Sequence, residues 1–220
     1  MLRAMLQIAG TVVTLTVALF VSAGRLDWPM AWAFLLTFVA FSVLPFLVLS
    51  PSLIAERSAL FKKGDRADAL LAVAFALLLY PGTMVVCGLD RRFGWSPSLP
   101  NGVPVLALVL FAIGYGFVLW AMRVNPFFAT GVRVQRERGH RVIDRGPYAW
   151  MRHPGYAGTM AAHLVLPVAL GSLWGLVPAV VGSLLLAVRS VHEEQVLSQG
   201  LSGYQEYARR VPWRLVPGVW

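Results

Sequence analysis

One cysteine, Cys87, stands in 220 residues, so the chain can form no internal disulfide and no multi-cysteine metal site. Its position near the end of an apolar run points to a buried, inert thiol. Histidine is scarce as well. His140, His153, His163 and His192 lack the spacing of metal ligands, and no metal is expected. Charge is the third shortage: 13% of the residues are charged, against about 25% in soluble domains. That excludes an ordinary water-soluble fold. What fills the gap is apolar: 58% of residues are hydrophobic, and the mean hydropathy is +0.68.

The apolar residues fall into six runs, at about 5–23, 29–49, 69–88, 104–124, 156–171 and 173–190. Most approach the ~20 residues that a helix needs to cross ~30 Å of hydrocarbon. The expected fold is an all-α integral membrane protein of about six transmembrane helices. Gly171-Ser172 joins the last two runs as a tight turn. Prolines 45, 81, 167 and 178 lie inside runs, which membrane helices accept where neighbours satisfy the freed carbonyls. Arg3, the first run and Val21-Ser22-Ala23 also have the form of an export signal. The run is read here as the first membrane helix.

The basic residues set the orientation. With the N-terminus inside, inner segments carry 16 of the 19 Lys and Arg, and only Arg25, Arg91 and Arg92 lie outside. Such a bias places both termini in the cytoplasm, in a multi-pass protein of a prokaryotic-type inner membrane. It also accounts for the net charge of +9 through anionic headgroups. Nucleic acid is not an expected partner, because the bases sit beside helix ends and form no single groove.

The loops differ in character. Pro51 to Asp68 mixes Leu53, Ile54, Leu60 and Phe61 with basic residues and suits an interfacial segment. Residues 125–153 form a long inner loop that alternates as Val132-Arg133-Val134-Gln135, breaks at Gly139 and resumes at His140. That pattern predicts a short hairpin or an extended lid. Gly114-Tyr115-Gly116 lies within a membrane run and is no dinucleotide fingerprint.

Polar residues cluster at both ends of the final apolar hairpin: Tyr148 and Arg152-His153-Pro154-Gly155-Tyr156 before it, Arg189 and Glu193-Glu194 after it. A hairpin that crosses twice returns these clusters to one side. Ionisable groups at membrane depth are expensive and mark a functional site. Arg189 and Glu193 are four apart on one helical face, as either a functional pair or a plain helix-end ion pair.

Gly146-Pro147-Tyr148, Arg152-His153-Pro154-Gly155-Tyr156-Ala157-Gly158, Arg189, Glu193-Glu194 and Tyr204 to Pro212 together resemble the isoprenylcysteine carboxyl methyltransferase family, whose wider superfamily includes phospholipid N-methyltransferases. The likeness covers about residues 101–220, which divides the chain into N-terminal helices (1–100) and a methyltransferase core. It implies an S-adenosylmethionine-dependent enzyme, with the cofactor at the cytoplasmic face under the 125–153 loop and a C-terminal helix. By that resemblance Gln135, His140, Arg141, Val142, Ile143, Tyr148, His153, Pro154, Gly155 and Tyr156 contact the cofactor. Glu193 holds its amino group, with Glu194 either beside it or merely solvated, and Arg189 faces the substrate.

The chemistry suits those residue types. A carboxylate pairs with an ammonium, tyrosines offer flat faces with polar tips, and an arginine fork grips a carboxylate. A carboxylate acceptor needs no general base, so Arg189 and Glu193 would act by positioning. The expected partners are membrane lipids and a lipophilic small-molecule or lipidated acceptor, most simply an isoprenylcysteine-like acid. N- or S-methylation of another amphiphile and a non-catalytic carrier are the alternatives. A sterol-type reductase shares some of the C-terminal motifs and is disfavoured for want of its extra helices. No oligomer is required, since the assigned residues come from one contiguous segment.

Overall fold

The computed structural model describes residues 2–58, 66–100 and 102–220. Leu60, Phe61, Lys62 and Lys63 of the expected interfacial segment lie outside the described residues. The regular elements of the described residues are all helices, without strands: α1 Leu2–Ala23, α2 Pro29–Val43, α3 Pro45–Val48, α4 Pro51–Ser58, α5 Arg66–Leu77, α6 Thr83–Phe93, α7 Gly102–Val124, α8 Pro154–Ala169, α9 Leu176–Gly200 and α10 Tyr204–Arg210.

Five spans are long and apolar enough to cross a bilayer: α1, α2 with α3, Arg66–Phe93, α7 and α9. The chain is thus an integral, multi-pass membrane protein. The sixth expected crossing falls short. Helix α8 has 16 residues, about 24 Å at 1.5 Å per residue, and so does not by itself reach across ~30 Å of hydrocarbon. Helix α9 does the reverse and continues past the apolar run to Gly200, because Gln195 to Gln199 are good helix formers that carry no break.

Prolines shape the spans. Pro45 has no N–H, and α2 gives way to α3 at Leu44. Pro81 sits in a wide π turn, Leu78–Gly82, that keeps Arg66–Phe93 one continuous crossing. The Thr83 hydroxyl donates to the Leu78 carbonyl at 2.9 Å, which satisfies an oxygen the turn frees.

One apolar core runs through the bundle, from Leu15, Leu19 and Phe34 through Met84 and Cys87 to Phe111, Ala162 and Leu166. The Cys87 thiol is fully buried there. Helices α7 and α8 approach closely through glycine. A Cβ on Gly158 would stand 2.8 Å from the Gly114 carbonyl oxygen, and one on Gly114 3.0 Å from that of Gly158. The glycines in the Gly114 region therefore serve helix contact, as small residues do in membranes.

At the end of the bundle away from the 125–153 loop, the turn between α8 and α9 is clasped to α6. The buried Asp90 carboxylate accepts from the Ser172 hydroxyl at 2.5 Å and from the Ser96 hydroxyl and N–H at 2.6 and 2.7 Å. The Ser96 oxygen in turn accepts from the Leu173 N–H at 2.8 Å. No buried acid is left without donors in this clasp, as a low-dielectric site requires.

Candidate active site

The opposite end holds a cavity that encloses about 830 Å³ of space, part of it open to solvent. Gln135, His140, Arg141, Val142, Ile143, Tyr148, His153, Gly155, Tyr156, Arg189 and Glu193 all line it. Pro154 and Glu194 do not, and the structure gives each a different place. Pro154 opens α8, where its missing N–H is no loss. Glu194 accepts from Arg152 Nε at 2.6 Å and Arg214 Nε at 2.8 Å, and lies 3.1 Å from His153 Nε2.

That hub fastens the C-terminal segment under the cavity. The Arg152 and His153 N–H groups donate to the Trp213 and Arg214 carbonyls, each at 2.9 Å. Arg152 Nη1 donates to the carbonyls of Val211 and Pro212, each at 2.7 Å. Tyr207 donates to the Tyr148 carbonyl at 2.8 Å. Sequence reasoning assigned none of this. Tyr204 and Tyr207 were visible as part of a motif but carried no role.

The 125–153 loop is an extended lid with two short 3-10 turns, Arg136–Arg138 and Gly146–Ala149, and no hairpin among the described residues. The alternating segment has no partner strand, so side chains satisfy its backbone. Gln135 is buried, and its amide is spent on the lid: Nε2 donates to the Phe127 carbonyl at 2.6 Å, and Oε1 accepts from Arg138 at 2.5 Å. Its backbone N–H donates to His140 Nδ1 at 3.2 Å, and His140 stacks against Phe127 at 4.5 Å. Burial, the largest influence, lowers the His140 pKa below 6.5, so its ring is neutral at pH 7 and able to accept. Burial likewise raises the Tyr148, Tyr204 and Tyr207 pKa values and keeps those phenols neutral.

Arg189 is buried and committed. Its Nε donates to Asp68 Oδ1 at 2.7 Å, and its Nη2 donates to Asp68 Oδ2 at 3.3 Å and to the Thr130 carbonyl at 2.6 Å. Asp68 Oδ2 also accepts from the Val132 N–H at 2.9 Å. The pair thus straps the lid to α5 and α9. No direct ion pair joins Arg189 to Glu193 among the described residues. Asp68 was invisible in the sequence because 121 positions separate it from Arg189. Glu193 faces the cavity, accepts from the Tyr156 hydroxyl at 2.6 Å, and keeps its side chain 29% exposed. His153 and Tyr156 stack at 5.6 Å.

Two features fit a polar, cationic ligand. The Tyr204 hydroxyl is buried without a hydrogen-bond partner and belongs to a residue of the cavity wall. Glu193 presents a carboxylate there with room to accept further donors.

Beyond the lid lies a larger, open-sided cavity of about 2010 Å³, lined mainly by apolar residues of α1, α2, α3, α5 and α7, among them Leu15, Phe38, Leu49 and Leu119. Phe128 divides the two cavities. It lines the first and packs into the Leu49–Ile54 cluster beside the second. Gly155 exists for this ring, since a Cβ there would stand 2.5 Å from Phe128 Cζ.

Comparison with known proteins follows these segments. The family model described as phospholipid methyltransferase matches residues 103–202. Protein-S-isoprenylcysteine O-methyltransferase B of Arabidopsis thaliana is 35% identical over 87 residues, 39% of this chain and 44% of that protein. Delta(14)-sterol reductase TM7SF2 of Mus musculus is 30% identical over 146 residues, 60% of this chain and 35% of that protein. The matches span less than half the length of either relative. Over these segments the chain is similar to the isoprenylcysteine carboxyl methyltransferases and the phospholipid methyltransferases.

Proposed function

We propose that this protein transfers a methyl group from S-adenosylmethionine to the carboxylate of a lipophilic, isoprenylcysteine-like acceptor. The observation that supports it most is the cavity itself, which gathers a carboxylate, neutral aromatic faces and an unpartnered buried hydroxyl against a larger apolar chamber. The cofactor, when bound, supplies a sulfonium methyl group. Glu193 would take its ammonium, Tyr204 and Arg141 its polar groups, and Tyr148, Tyr156 and His153 its flat surfaces.

The remaining work is placement. The lid excludes water, which strengthens each charge interaction inside. Asp68 and Arg189 hold Thr130 and Val132, so the lid keeps one position over the site. Arg189 on this reading is a positioning residue. The acceptor's carboxylate is ionised at neutral pH and needs no base, only alignment. Its tail suits the apolar chamber, which reaches the lid at Thr130.

The arginine-rich ends of the helices lie on the cavity side, which supports a cytoplasmic site and cytoplasmic termini in an inner membrane of prokaryotic type. Every group in the site comes from one chain, so a monomer suffices.

The test is calorimetric binding of S-adenosylhomocysteine to detergent-purified protein, beside the Glu193→Ala variant, followed by transfer of labelled methyl to S-farnesyl thioether acids and to phosphatidylethanolamine. We expect micromolar binding that is lost in the variant, and transfer to the acid. Transfer to the amine alone would move the reading to phospholipid N-methylation. Binding without transfer to either would favour a carrier. NADPH binding in place of S-adenosylhomocysteine would favour a reductase of the kind the mouse relative is named for.

A further inference from the structure

The acceptor's charge needs a receptor, and Arg189 does not offer one. Both arms of its fork already meet Asp68 and the Thr130 carbonyl. An incoming carboxylate would have to break a buried ion pair, and a lone charge left behind is strongly unfavourable.

Arg57 is placed differently. It stands in the last turn of α4, half-buried, on the wall of the apolar chamber. Its guanidinium lies over the Phe128 ring, 5.0 Å from the centroid, and has no carboxylate partner among the described residues. The acid beside it in sequence, Glu56, is taken by Arg133 at 2.6 Å. Arg57 is held in place from its backbone, since its carbonyl accepts from the Thr130 hydroxyl at 3.0 Å. Thr130 is the same residue whose carbonyl Arg189 grips. A helix C-terminus favours a cation, but that effect is weak in a helix of 8 residues. It does not account for a guanidinium turned toward an apolar space and an aromatic face. A half-buried guanidinium without a carboxylate beside an apolar wall is costly and marks a binding position. The ring beneath it also lines the cofactor cavity, so an anion on Arg57 stands at the passage between the two chambers.

We infer that Arg57 binds the anionic head of the lipophilic acceptor and so selects acids over neutral amphiphiles, a role that rests on the proposed methyltransferase reading for its consequence in turnover. An arginine fork accepts a carboxylate in two parallel hydrogen bonds, whereas an ester offers no charge. The geometry requires Arg57 to contact the head group while the tail stays among the apolar residues of the chamber.

The experiment compares equilibrium binding of N-acetyl-S-farnesylcysteine and its methyl ester to the full-length protein in detergent. Wild type should bind the acid at least about tenfold more tightly. Arg57→Gln should reduce that preference to within about twofold, with S-adenosylhomocysteine affinity unchanged. An undiminished preference in Arg57→Gln refutes the role. Should that variant not fold, phenylglyoxal labelling of the wild type decides. The acid, and not the ester, should protect Arg57, and equal labelling with either ligand refutes the proposal. Loss of S-adenosylhomocysteine binding in wild type, with the acid preference intact, would overturn the methyltransferase reading and leave Arg57 as an anion receptor.

Discussion

Replacing Asp68 by asparagine removes one charge and little else. The side-chain oxygen can still accept from the Val132 N–H, now 2.9 Å from Oδ2. Arg189, however, keeps its charge with its side chain only 6% exposed. Breaking one half of a buried pair costs about 3–5 kcal/mol. In a chain of this size 1 kcal/mol moves the melting temperature by about 2–4 °C, so Asp68→Asn should melt roughly 10 °C lower in detergent. Arg189→Met should cost a similar amount, because it strands the carboxylate. The double variant should recover much of the loss, since neither partner is then left as an unpaired buried charge. Thermal unfolding followed by circular dichroism measures all four proteins. Strictly additive losses would mean that the two residues do not act as one unit, and the account of the lid strap would fail. The double variant should also bind S-adenosylhomocysteine more weakly, as the lid then loses its charged anchor at Thr130.

Further outcomes follow from the same geometry. Gly158→Leu should separate α7 from α8 and lower the melting temperature more than Gly10→Leu, where a Cβ meets nothing within 4 Å; equal shifts would contradict the close approach. Because burial depresses the His140 pKa, its contribution to lid stability is full above its ordinary value near 6.5 and is lost as pH falls through the lower folded value. The protection factors of the amides at residues 135–140, which remove the intrinsic slowing of exchange at lower pH, should therefore drop as pH falls below about 6.5, and His140→Phe should flatten the profile. Arg152→Lys removes the fork that joins Glu194 to the Val211 and Pro212 carbonyls; limited proteolysis should then cut after residue 203 faster than in wild type. Unchanged cleavage would refute the role of Arg152 as the fastener of that segment.

The membrane spans were legible because hydrophobicity is a local property of the chain. Five of the six expected runs are long enough to cross, and run length and helix length part company at α8, which falls short, and at α9, which runs on. Most of the residues that the motif singled out line one cavity. The lid was legible as extended chain, but the expected hairpin required a partner strand that the fold does not supply. Gln135 lines that cavity and also bonds within the lid, to Phe127 and Arg138, which its motif position did not show. Asp68 and Arg57 were hidden for another reason. Each acquires its meaning from residues more than 60 positions away, Val132 and Arg189 for one and Thr130 for the other. No periodicity carries that information.

The fastening of residues 204–214 beneath Arg152 and His153 also has a consequence for biosynthesis. The groups that close the cavity floor, from Tyr207 to the Arg214 carbonyl, leave the ribosome after α1 to α9. Helices α1 to α9 therefore enter the membrane with Arg152 and Glu194 still lacking part of their final partners. The site becomes competent only when the tail folds back. Maturation of this protein should then be timed by a docking step that follows insertion of α9, and a chain stalled before residue 204 would be inserted yet unable to close the cavity floor.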